Sequence, residues 1–135
     1  MEKSINSILE LKKLVFKRIT FEREGMSSDD SFRFQLKSEV SQKKDEELYR
    51  VELSLFGEKE HEYRIEICLY GFFTFDVSER IPDELKNDLL NKNAVAIMMP
   101  YVRSELSILT AQPEVECIVL PPFNINELLG SSNKS

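Results

Sequence analysis

The side chains that usually carry chemistry are few in this sequence. It holds a single histidine, His61, and two cysteines, Cys68 and Cys117. His61 sits in the charged run Glu58-Lys59-Glu60-His61-Glu62, a solvated hairpin turn where its ring is expected to face water. The cysteines match no metal-ligand spacing and read as reduced, half-buried thiols. No Gly-rich phosphate loop, nucleophile elbow, CxxC or HExxH is present. The carboxylates fall on polar strand faces and turns, away from any cleft that could tune one of them for proton transfer. The chain is therefore expected not to be an enzyme and to need no cofactor and no metal. Its formal net charge of −6 argues against a nucleic-acid surface. No apolar run approaches the ~20 residues of a membrane span, and MEKSINSILE lacks an apolar signal core. The expected compartment is the cytoplasm, without membrane insertion.

What the chain does offer is apolar surface in excess of regular structure. Val95, Met98, Met99, Val102, Leu106 and Leu109 recur at the spacing of one helical stripe, with Ile97, Tyr101 and Ile108 as a second stripe beside it. A helix apolar on two sides predicts cover on both, by its own sheet and by another subunit. Pro100 predicts a kink, and Pro113 predicts the end of helicity at Gln112. The connection to Pro121-Pro122 then displays Val115, Cys117, Ile118, Val119 and Leu120. A second short helix is expected from Asn124, with Glu127 as capping-box partner and Phe123 stapled onto Leu128.

Upstream elements must position this material. Val15, Ile19 and Phe21 suggest a first strand from Leu11. Phe32, Phe34, Leu36 and Val40 alternate with polar residues. So do Tyr49, Val51, Leu53 and Leu55, and then Tyr63, Ile65, Ile67 and Leu69. Polar segments at Glu24–Asp30, Lys43–Glu47 and Gly57–Glu60 separate them, the last read as a hairpin turn. Gly71 is expected to mark a bulge. Pro82, Asp83 and Glu84 open a short helix whose inner face is Leu85, Leu89 and Leu90, and Asn93 is expected to cap the main one. Four such strands predict an antiparallel sheet with one apolar face. The whole reads as one α+β domain over residues 1–130, with residues 131–135 as a disordered tail. The loop from Pro113 to Pro122, with Phe32 and Phe34, could build a groove, and Met98 and Met99 are adaptable side chains of the kind found where many sequences bind.

The run AVAIMMPYVRSELSILTAQP, followed by IVLPPFNINELL, resembles the C-terminal half of SecB-type export chaperones and their Gram-positive SecB-like relatives. The segments LVFKRITFE, YRVELSLFGE and YRIEICLYGFFTF follow in the family's order, so the resemblance covers roughly residues 11–129. It implies a four-stranded antiparallel sheet with two C-terminal helices packed on one face, assembled as a homotetramer, a dimer of dimers. It implies ATP-independent holding of unfolded polypeptide clients in a hydrophobic groove, lined here by Phe32, Val115, Ile118, Leu120 and Phe123. The apolar side of the fourth strand, Tyr63, Ile65, Ile67 and Leu69, together with Val95 and Val102 of the main helix, is then the expected oligomer interface. Glu22 and Glu66 match the acidic surface that meets the SecA motor. Arg18 stands where the family has an acidic residue and Arg64 where it has an apolar one, so weak or no SecA binding is expected. Two other readings accompany the holdase: a module dedicated to one partner, such as an antitoxin, and a small-molecule or lipid binder using the sheet–helix cleft.

Overall fold

In the computed structural model, residues 8–43, 47–76 and 80–121 are described. Phe123, the helix expected from Asn124 and the expected tail lie outside them. Four strands, β1 (Leu9–Arg23), β2 (Phe32–Gln42), β3 (Tyr49–Lys59) and β4 (Tyr63–Phe75), precede a helical rod. They form one antiparallel sheet in the order β1-β4-β3-β2, so β1 and β2 are its edges. The rod comprises α1 (Asp83–Asp88), a π turn (Leu89–Asn93) and α2 (Ala94–Thr110).

Alternation puts Val51, Leu53 and Leu55 of β3 and Tyr63, Ile65, Ile67, Leu69, Phe73 and Phe75 of β4 on one face, where all are buried. α2 lies across that face with Ala94, Val95, Met98, Val102 and Leu106, each 0% exposed, so the core is closed within one chain. The opposite face carries Arg50, Glu52, Phe56, Glu58, Arg64 and Glu66, and no described helix covers it. This one-sided amphipathic sheet is what the period-two pattern requires.

Three local expectations need correction. Gly57 lies inside β3, paired with Ile65, and the turn falls at Glu60–Glu62 instead. A Cβ at Gly57 would meet the Phe32 ring at 2.6 Å, so glycine there makes room for an aromatic side chain. Gly71 makes no bulge and stays in register between Leu14 and Val51; its missing Cβ admits the Met98 sulfur. The register shifts occur in β1, between Leu11 and Lys13 and between Phe16 and Arg18. Each inserts a residue and sends the following side chains to the other face. Asn93 makes no side-chain cap bond to α2: its backbone is helical, and the π turn carries the chain unbroken from α1 into α2. α2 also runs through Pro100 to Thr110.

The close approach at Gly71 is testable. An added methyl would lie 2.8 Å from both the Met98 sulfur and the Phe73 ring, two fully buried groups with little room to retreat. Gly71→Ala should lower the unfolding free energy by about 1–3 kcal/mol in denaturant titration. An unchanged midpoint would show that Met98 moves aside freely.

Candidate functional site

Four aromatic rings converge at one end of the sheet's covered face. Phe21 from the end of β1 stacks on Tyr63 at 5.0 Å between centroids. Phe32 from the start of β2 lies 6.2 Å from Phe34 and 6.3 Å from Tyr63. The strand order causes this meeting, because β1 ends where β4 begins and β2 begins where β3 ends. Phe21, Phe32 and Phe34 remain only partly buried, whereas Tyr63 is enclosed.

A buried carboxylate holds the connection between β1 and β2 at the same end. Glu62, 1% exposed, accepts the Ser28 amide at 2.9 Å and pairs with the Lys59 ammonium at 3.3 Å. Its main-chain oxygen accepts the amides of Glu24 and Gly25. Gly25 has to be glycine, because a Cβ there would reach 2.4 Å from the His61 carbonyl. The loop edging the aromatic cluster is thereby fixed to the β3–β4 turn.

The segment after α2 forms a strap running back along the helix. Arg103 donates from Nε and Nη2 to the Leu120 carbonyl at 3.2 and 2.7 Å. The Ser107 hydroxyl donates to the Ile118 carbonyl at 2.9 Å. Thr110 Oγ1 accepts the Ile118 amide at 2.8 Å and donates to the Leu106 carbonyl at 2.9 Å. At the near end the strap turns tightly, with Glu114 at a φ of 62° and the Val115 amide donating to the Gln112 carbonyl. Arg23 donates to the Glu114 carbonyl at 3.1 Å, tying that turn to the end of β1. Val115 and Ile118 pack partly against the core, Leu120 is buried, and Val119 is 74% exposed. Glu114 and Glu116 give the turn an acidic outer edge.

The expected binding residues thus divide. Phe32, Phe34, Val115 and Ile118 are half-buried at this end of the molecule, while Leu120 anchors the strap. Met98 and Met99 are core residues, 0% and 5% exposed. Tyr63, Ile65, Ile67, Leu69, Val95 and Val102, expected between copies, are enclosed by this chain's own sheet and helix, each at 3% exposure or less. The apolar surface left open is elsewhere. Tyr101 and Ile108 are exposed on the flank of α2 away from the strap, and Leu11, Val15 and Ile19 are exposed on edge strand β1.

On the uncovered sheet face, Glu22 and Glu66 border an open depression of about 650 Å³ that also includes Arg33 and Arg64. Arg18 pairs with Glu66 at 3.6 Å and Arg64 pairs with Glu24. Both arginines therefore already spend charge on neighbouring carboxylates, and the surface is mixed in sign. His61 is exposed beside Asp30 at 3.2 Å, and that hydrogen bond, reinforced by Glu60, raises its pKa. Asp30, Glu60 and His61 bring possible ligand atoms within 4.8 Å of one another. All three are exposed, however, and Arg33 already lies 3.5 Å from Glu60.

Sequence reasoning missed Phe21, Glu62, Arg23 and the helix residues that grip the strap. A faint signal existed, since Arg103, Ser107 and Thr110 stand at i, i+4 and i+7, one polar stripe beside the apolar one.

The fold has solved counterparts. The chain superposes on a SecB-like chaperone of Mycobacterium tuberculosis, solved in complex with a ChAD peptide from the HigA1 antitoxin. The TM-score is 0.72 over 88% of this chain and 93% of that one, at 10% identity. The architecture is thus the SecB-like fold. A protein of unknown function from Streptococcus agalactiae aligns at 8% identity with a TM-score of 0.45, over 84% of this chain and 97% of that one. In sequence, 67 residues, half of this chain, are 31% identical to an uncharacterised protein of Methanocaldococcus jannaschii, and the match spans 41% of that protein's length. No protein-family model matches the chain.

Thr110 offers a direct test of the strap. Thr110→Val keeps the shape but leaves the part-buried Ile118 amide without its hydroxyl partner, at a cost of about 0.5–1.5 kcal/mol. Amide exchange at Ile118 should accelerate accordingly. Unchanged protection there would mean that the strap is held by other contacts.

Proposed function

We propose that the protein is an ATP-independent holdase that binds unfolded polypeptide segments at the aromatic end of its covered sheet face. The observation carrying this reading is the half-buried cluster of Phe21, Phe32 and Phe34 beside a strap whose Val115 and Ile118 are also only partly buried. Half-buried aromatic and aliphatic side chains on a fixed frame give shallow apolar contacts without a fixed register. Each contributes about 1–2 kcal/mol, and several along one client give useful affinity. The acidic edge of Glu114 and Glu116, with the net charge of −6, favours clients whose apolar segments lie among basic residues. A SecB-like fold whose M. tuberculosis counterpart was solved with an antitoxin peptide is consistent with a polypeptide ligand.

That counterpart also motivates the second reading, a module dedicated to one partner such as an antitoxin. A small ligand in the sheet–helix cleft is less well supported, because Val51, Leu53, Met98 and Val102 fill that cleft at 0% exposure. Coupling to SecA is expected to be weak, given the mixed charge around Glu22 and Glu66. No described helix is long and apolar enough to cross a membrane.

The protein should suppress aggregation of chemically unfolded, unrelated proteins at near-stoichiometric ratio without nucleotide. Phe34→Ser with Val115→Ser should weaken this several-fold with little loss of thermal stability, because both positions are partly solvated. Protection of a single partner alone would transfer the case to the dedicated module, and no protection at all would end the holdase reading.

The open apolar flank of α2 and the edge of β1 are proposed to meet further copies of the chain. Light scattering should then report two or four times the 15.7 kDa chain mass. Tyr101→Glu with Ile108→Glu should reduce the assembly. A wild-type monomer at micromolar concentration would refute this.

A further inference from the structure

Tyr63 is the most buried member of the aromatic cluster, and it carries a polar atom that no described residue pairs with. The side chain is 1% exposed, and its hydroxyl has no hydrogen-bond partner among the described residues. Buried tyrosine hydroxyls usually find one, because an orphaned hydroxyl forfeits its hydration without return. Phenylalanine would fill the same space among Phe21 and Phe32 without that loss. Burial, reinforced by the Glu62 and Glu116 carboxylates, pushes the Tyr63 pKa up to about 12, so the group keeps its proton and remains a donor. The influence of Glu116 also places the strap's acidic turn within electrostatic reach of the phenol. That turn is held at its near end by the Arg23 contact to Glu114 and the bond from Val115 to Gln112, one bond each, whereas the main chain of Ile118 and of Leu120 is held by two apiece.

We propose that the Tyr63 hydroxyl is a hydrogen-bond donor reserved for a main-chain carbonyl of a bound polypeptide, reached when the turn at residues 112–116 swings away from the end of β1. The inference rests on the holdase reading and refines it. An apolar client side chain would enter among Phe21, Phe32 and Phe34, and the carbonyl beside it would meet the phenol. A main-chain carbonyl is present at every residue of every client, so the contact adds affinity without selecting sequence. Among the described residues the donor has no partner, and the bound client would supply one.

The probe is a short fluorescent peptide of glycine, serine and arginine carrying Phe-Leu pairs, titrated by anisotropy. Tyr63→Phe should weaken its binding about tenfold, the scale of one buried hydrogen bond, while the thermal midpoint stays level or rises. A matching peptide with ester bonds after the phenylalanines presents weaker carbonyl acceptors. It should bind the wild type less tightly than the amide peptide, but Tyr63→Phe should not distinguish the two. Unchanged affinity in Tyr63→Phe, or discrimination that persists in the variant, overturns this proposal and leaves the holdase reading intact. A lowered thermal midpoint assigns the hydroxyl to the fold and overturns it as well. A wild-type protein that binds neither this peptide nor any unfolded protein overturns both readings together.

Discussion

The fold depends on how closely α2 approaches the sheet at Gly71. Met98 settles into the space a side chain would have filled, and this sets the height of the helix above β3 and β4. At that height Val95, Val102 and Leu106 interleave with Val51, Leu53, Ile67 and Leu69 to close the core. The depth of the contact also decides what remains outside. A helix seated on the two central strands leaves the edge strands partly uncovered, which is why Phe32 and Phe34 on β2 and Leu11 and Ile19 on β1 keep exposure. The open aromatic end is a consequence of a tightly closed middle.

Fixing that end falls to polar contacts. Glu62 is a charged group taken almost wholly out of water, tolerable because Lys59, the Ser28 amide and the local main chain surround it. Its contacts join the loop between the edge strands to the turn between the central ones. The strap is governed in the same way, by Arg103, Ser107 and Thr110 on the helix and Arg23 on the sheet. Apolar side chains that are not fully buried could drift; these hydrogen bonds keep the surfaces carrying them in place.

The parts of this arrangement that were legible in the sequence are those written in periodicity. β2, β3 and β4 alternate cleanly, and the stripe through Val95, Met98 and Val102 is the helix's buried face. Periodicity states that a face is covered but not by what, so Ile65, Ile67 and their neighbours read equally well as a contact between chains. The bulges in β1 were hidden because each shifts the alternation by one residue, mixing the faces of Val15 and Phe16. Gly57 and Gly71 resembled turn and bulge signals, since nothing local distinguishes a glycine that bends the chain from one that admits a neighbour. The aromatic cluster needed the strand order: Phe21 and Tyr63 are far apart in the chain and meet only because β1 pairs with β4. Residue chemistry did point to the strap's Val115 and Ile118 as surface-forming, but not to the helix residues that hold it.

The strap's anchorage has a consequence for how such a surface can change over generations. The helix grips the strap through the carbonyls of Ile118 and Leu120 and the amide of Ile118, atoms common to every amino acid. The identity of the strap's outward residues is therefore largely independent of its position. Mutation can rewrite the chemistry displayed at Glu116, Cys117 or Val119 while the scaffold still holds the segment in place. Descendants of one ancestral chain could then diverge in what they recognise without having to refold.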